Sequence, residues 1–137
     1  MRSKLLLVGV ALVVILSTLF IFYSLWPRCS TFKSLETSLT VESAKRSIIG
    51  LNADTDSLAF GKVSPSAGVR RSVVVNYTED ATVHIFMDSP FASWVSITPH
   101  DFNLSAGQSQ EVNFNVNVPA YTPDASYTGT VVFCFRT

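Results

Sequence analysis

Along Glu111–Val118 apolar and polar residues alternate without a fault. Val112, Phe114, Val116 and Val118 share one parity, and Glu111, Asn113, Asn115 and Asn117 share the other. A strand turns successive side chains to opposite faces, and a helix would scatter these four apolar residues around its circumference. The segment therefore reads as a strand with one face in a core and the other in water. Whatever else the chain builds must supply a second apolar layer to cover that face.

Shorter segments repeat the pattern. "DSLAFGKV" sets Leu58 and Phe60 on one face, "RRSVVVNYT" carries Val73, Val74 and Val75, and "ATVHIFMDSP" alternates Val83, Ile85 and Met87. "SWVSITP" is bounded by Pro90 and Pro99, "DFNLSAG" ends at Gly107, and "SYTGTVVFCFRT" puts Tyr127, Val131, Phe133 and Phe135 on one parity. Turn formers separate these runs, and no helical periodicity follows residue 50. Without crossover helices a parallel sheet is not expected, so the fold predicted for residues 54–137 is an antiparallel β-sandwich. Upstream, "CSTFKSLETSLTVESAKRS" alternates Leu35, Leu39 and Val41 with Glu36, Ser38, Thr40 and Glu42. Residues 28–53 are read as a connector or stalk, the alternation in it being that of one strand or of the first turns of a stalk.

The N-terminus has a different character. No charge lies between Lys4 and Pro27. The run from Leu5 to Trp26, about 22 residues, spans roughly 33 Å as a helix, which matches a hydrocarbon core of ~30 Å. It exceeds a signal-peptide core and shows no small-residue cleavage pattern. Tyr23 and Trp26 stand where an interfacial aromatic belt belongs, and Pro27 ends the helix. Residues 1–27 are thus read as a cytoplasmic tip and a retained transmembrane anchor. Arg2 and Lys4 precede the span and Arg28 and Lys33 follow it, so charge alone leaves the orientation nearly tied. The N-x-[ST] sites at Asn76 and Asn103, candidate glycosylation sites, favour an external C-terminal part.

With 137 residues, the chain has room for one domain after the span. Ten basic and ten acidic residues cancel, and no basic stripe exists, which argues against a nucleic-acid partner. The two cysteines, Cys29 and Cys134, cannot form a cysteine-rich zinc site. Three readings stay open for them: a bridge within the chain, a bridge between chains through Cys29, or a lipidated or free Cys29. Cys134 has the parity opposite Phe133 and Phe135.

Phe60-Gly61-x-Val63-x-Pro65-x-x-Gly68, the hydrophobic run ending at Asn76, and "TVHIFM" resemble the first half of prokaryotic immunoglobulin-like domains. "SWVSITPHDFNLSAGQSQEVNFNVNVP" followed by "SYTGTVVF" resembles the second half. The group is that of the ASPM–SPD-2–hydin, major-sperm-protein and BACON–NEW3-like domains. The resemblance covers about residues 54–135 and implies an immunoglobulin-like sandwich in a single-span membrane protein of prokaryotic, archaeal type. It specifies a fold and not a function. In the resembled pattern Trp94 plugs the core. Phe86 and Phe91 then remain as surface aromatics.

Residues that could carry chemistry are few. His84 lies on a polar strand parity, and His100 and Asp101 form a loop pair with no nucleophile motif nearby. Asp54 and Asp56 lack the glycine and distal glutamate of a calcium loop and read as a turn. Asn113, Asn115 and Asn117 form a polar ribbon, a solvated face or an interaction face. The expectation is a single-pass cell-membrane protein whose external immunoglobulin-like module binds or supports another membrane or envelope protein, without catalysis, cofactor or metal. The alternative is a component or anchor of a surface appendage or envelope layer. Carbohydrate binding and enzymatic activity rank behind both.

Overall fold

The computed structural model describes residues 2–25, 29–43 and 57–137. Helix α1 (Arg2–Leu25) comes first. Its described side chains, Gly9 and residues 11–21, are all exposed. Among the described residues no helix is long and apolar enough to cross a membrane. The strands that follow are β1 (Thr31–Val41), β2 (Ser57–Val63), β3 (Gly68–Asn76), β4 (Ala81–Asp88), β5 (Val95–Thr98), β6 (Asp101–Leu104), β7 (Ser109–Asn117) and β8 (Ala125–Arg136). A five-stranded sheet runs in the order β2-β1-β8-β4-β6, and a three-stranded sheet in the order β3-β7-β5.

Each alternating segment of the sequence is one of these strands, and parity decides what is buried. Val112, Phe114 and Val116 of β7 meet Val83 and Ile85 of β4 and Val131, Phe133 and Phe135 of β8 in one core. Phe114 and Phe133 face each other with ring centroids 6.5 Å apart at 72°, the edge-to-face arrangement aromatic quadrupoles favour.

The stretch read as a connector supplies β1, which lies inside the sheet. It pairs with β8 without interruption from Thr31↔Phe135 to Val41↔Ala125. Its inward parity carries Thr37, Leu39 and Val41, all buried, so β1 is part of the sandwich. The expectation of a wholly antiparallel fold needs one correction, because β1 and β2 run parallel. A parallel pair requires a connection of about a dozen residues or more. Residues 42–56 supply that length without a helical pattern; Asp54 and Asp56, read as a turn, lie outside the described residues. The β1–β2 ladder shifts register between Ser38 and Leu39. Gly61 resolves the shift with φ +80, which a side chain would strain.

Of the three cysteine readings, the structure has the intramolecular bridge: Cys29 and Cys134 are joined across 105 residues of sequence. Cys134 lies on the outer parity of β8, and the bridge covers it, leaving it 1 % exposed.

The aromatic assignments change. Phe91, expected at the surface, is 0 % exposed and sets its ring edge-on to Phe60 at 6.1 Å and 89°. Trp94, expected in the core, is half-buried at its rim, 5.2 Å from Tyr127. The cause is the turn after β4. Ala92 N–H donates to the Ser89 carbonyl (3.2 Å) and Trp94 N–H to the Phe91 carbonyl (2.9 Å). This tight 3-10 turn swings Phe91 under the end of the sandwich and leaves Trp94 beside it. Gly129 is required where the same turn passes β8. A Cβ there would stand 2.1 Å from that of Ser89.

Two outcomes follow in chemical unfolding of the full chain in detergent, monitored by circular dichroism. Phe91→Ala lowers stability by about 3–5 kcal/mol, and Trp94→Ala by less, since a half-buried ring leaves a smaller cavity. Replacing both cysteines by serine removes about 4–5 kcal/mol, the chain-entropy value for a loop of about 105 residues.

Candidate functional site

The two outer faces present different chemistry. On the five-stranded sheet, β4, β8 and β1 turn out Thr82, His84, Phe86, Val132, Phe32 and Ser34. Cross-strand pairing sets His84 beside Cys134 and Cys134 beside Phe32. One step further along, Phe86 stands beside Val132 and Val132 beside Ser34. Phe86 is 45 % exposed and Phe32 71 %. Phe86 is thus the surface aromatic its sequence position suggests, and Phe32 is one that its position in a presumed connector concealed.

Beside Phe86 lies a cluster of titratable groups. The β5–β6 turn is held to β4 by the Ile85 N–H donating to the His100 carbonyl (2.8 Å). Strand register then places Asp101 opposite His84. One carboxylate oxygen of Asp101 bonds His84 Nδ1. The other lies 2.8 Å from His100 Nε2. Sequence spacing showed the His100–Asp101 neighbours but not His84, which is 17 residues away and reachable only through the β4–β6 register. The hydrogen bond from His84 holds the Asp101 carboxyl below its ordinary range against the opposing effect of desolvation, and the charges of His84, His100 and Arg136 add to the lowering. A carboxylate that orients an imidazole serves catalysis when a nucleophile converges on it. The cysteine next to His84 is in a disulfide. Among the described residues no group of three His, Cys, Asp or Glu could hold a metal ion.

The three-stranded sheet carries the asparagine row on its central strand. Asn113 lies between Ser72 of β3 and Thr98 of β5, and Asn115 between Arg70 and Ser96. Asn117 is exposed; Asn113 and Asn115 are half-buried among their neighbours. Arg70 Nε donates to Asn115 Oδ1 at 2.6 Å. The row is one flat hydrogen-bonding surface of small polar side chains with a single cation. The two sequon asparagines are not brought together. Asn76 ends β3 on this sheet and Asn103 lies on β6 of the other, both exposed. Asn103 Oδ1 accepts a hydrogen bond from Thr82 Oγ1 at 3.0 Å, which leaves its amide nitrogen free of that contact.

Comparison with known protein families, curated proteins and solved structures gives no match to this chain.

The Asp101 shift has a direct check. Its depressed value means the native state favours the carboxylate. The associated stability is present above the unfolded-state pKa and is lost as pH falls through the lower folded value. Carboxyl-carbon NMR titration finds Asp101 below the usual aspartate range, and His84→Gln moves its midpoint upward. A midpoint unchanged by that substitution excludes His84 as the cause.

Proposed function

We propose that this chain is a single-span membrane protein whose N-terminal helix anchors an immunoglobulin-like sandwich outside the cytoplasm. It acts there as a structural or protein-binding module, an accessory subunit or surface protein. The Cys29–Cys134 bridge carries this reading. Disulfides persist in oxidising compartments and are rare in the cytosol. This one begins four residues after α1 ends at Leu25. The uncharged run Leu5–Trp26 supplies the length of a bilayer span. Arg2 and Lys4 resist translocation, so the longer C-terminal part crosses.

Other observations agree. Gly129 belongs to the Tyr-x-Gly pattern of the resembled domains, and its lack of a side chain is needed where Ser89 passes. Asn76 and Asn103 are both accessible for glycosylation. The surface offers flat polar and aromatic faces of the kind that hold a neighbouring protein, with the Asn113, Asn115 and Asn117 row as one such face.

The topology is tested with reagents that cannot cross membranes. Cells producing the full chain are treated with an impermeant reductant and then an impermeant maleimide. Cys29 and Cys134 become labelled only after reduction, and intact mass shows residues 5–26 retained. Labelling that requires an opened membrane, or a mature chain beginning after Trp26, overturns the proposal.

A further inference from the structure

We propose that the open edge of β1 receives an extended segment of a partner protein as an added strand beside Thr31–Leu35, and that Lys33 selects a segment carrying a carboxylate. The proposal rests on the sandwich alone and holds whichever side of a membrane the domain occupies.

β8 covers one side of β1 along its whole length, whereas β2 covers the other side only from Glu36 onward. Among the described residues the backbone of Thr31–Leu35 therefore has a ladder partner on one side only. In the facing sheet β3 is an edge strand as well. The two edges leave an open cleft of about 170 Å³, with Lys33, Leu35, Val73 and Val75 on its walls and Phe133 and Phe135 at its floor. A void of about 150 Å³ accepts a benzene-sized ring, so the cleft has room for a large apolar side chain. Tyr77 closes one end, its hydroxyl donating to Thr31 Oγ1 at 3.3 Å.

These features define the occupant. Unpaired strand backbone asks for another strand, and pockets for alternate side chains then set which sequence fits. The apolar floor asks for an apolar residue. Lys33 adds the discriminating element. It shares the inward parity of Leu35 and Thr37 yet stays exposed, and its ammonium makes no hydrogen bond or ion pair among the described residues. An inward-pointing charge on an edge strand keeps indiscriminate strands away. The same charge admits a strand that brings an acid two positions from its apolar anchor. Penalising wrong partners in this way is how specificity is commonly built.

The test uses the full chain in detergent micelles and two synthetic peptides of alternating valine and threonine. They differ at one inward position, aspartate in one and lysine in the other. Fluorescence polarisation gives the affinities, and amide exchange by NMR reports on the β1 edge. The aspartate peptide binds about tenfold more tightly, slows exchange of edge amides within Thr31–Leu35, and loses to the lysine peptide in Lys33→Glu. Equal affinities, no binding, or binding without protection of those amides overturns the proposal. So does an edge already protected in the free chain, which means that residues 44–56 or a second copy hold it.

Discussion

The ladder between β1 and β8 is the contact on which the rest of the sandwich depends. It joins the first strand to the last, in register from Thr31↔Phe135 to Val41↔Ala125. β2 reaches the five-stranded sheet only through β1, and β4 and β6 only through β8. Contacts this distant in sequence cost loop-closure entropy before they return anything. The return comes from the inward parity of both strands, where Leu39, Val41, Val131, Phe133 and Phe135 are nearly or fully out of water. The disulfide adds a covalent tie at the same end of the same pair.

Much of this was readable from period-2 alternation. The strands β2 to β8 fall on the segments where apolar residues share a parity, and the burial of Val112, Phe114, Val116 and Val118 follows from that parity alone. What alternation does not encode is which strand neighbours which. The parallel partnership of β1 and β2 depends on a path through residues 42–56 that carries no periodic signal. The inclusion of β1 in the sheet depends on a partner about ninety residues downstream. Local rules have no access to either.

The surface chemistry divides along the same line. The asparagine row was visible because one strand carries it. The His84–Asp101–His100 cluster was not, because it exists only once β6 is set against β4. The full burial of Phe91, with Trp94 only half-buried against the core, escapes the sequence for a different reason. Both sit in one short turn, and whether a ring goes in or stays at the rim depends on a single 3-10 turn. Composition says that each is a large aromatic and nothing about which way the turn carries it.

The position of the disulfide has a mechanical consequence. Cys134 stands three residues before Thr137, and Cys29 four residues after the end of α1. Leu25 and Cys29 can be at most about 14 Å apart. Tension applied between α1 and Thr137 passes from Cys29 through the sulfur bridge to Cys134. It bypasses the stretch between the two cysteines, which are 105 positions apart in sequence. Such a pull stretches two short tethers and leaves the strands unloaded. Force delivered instead through a strand docked on β1 would act as shear along the β1–β8 ladder, where rupture needs many hydrogen bonds to fail together.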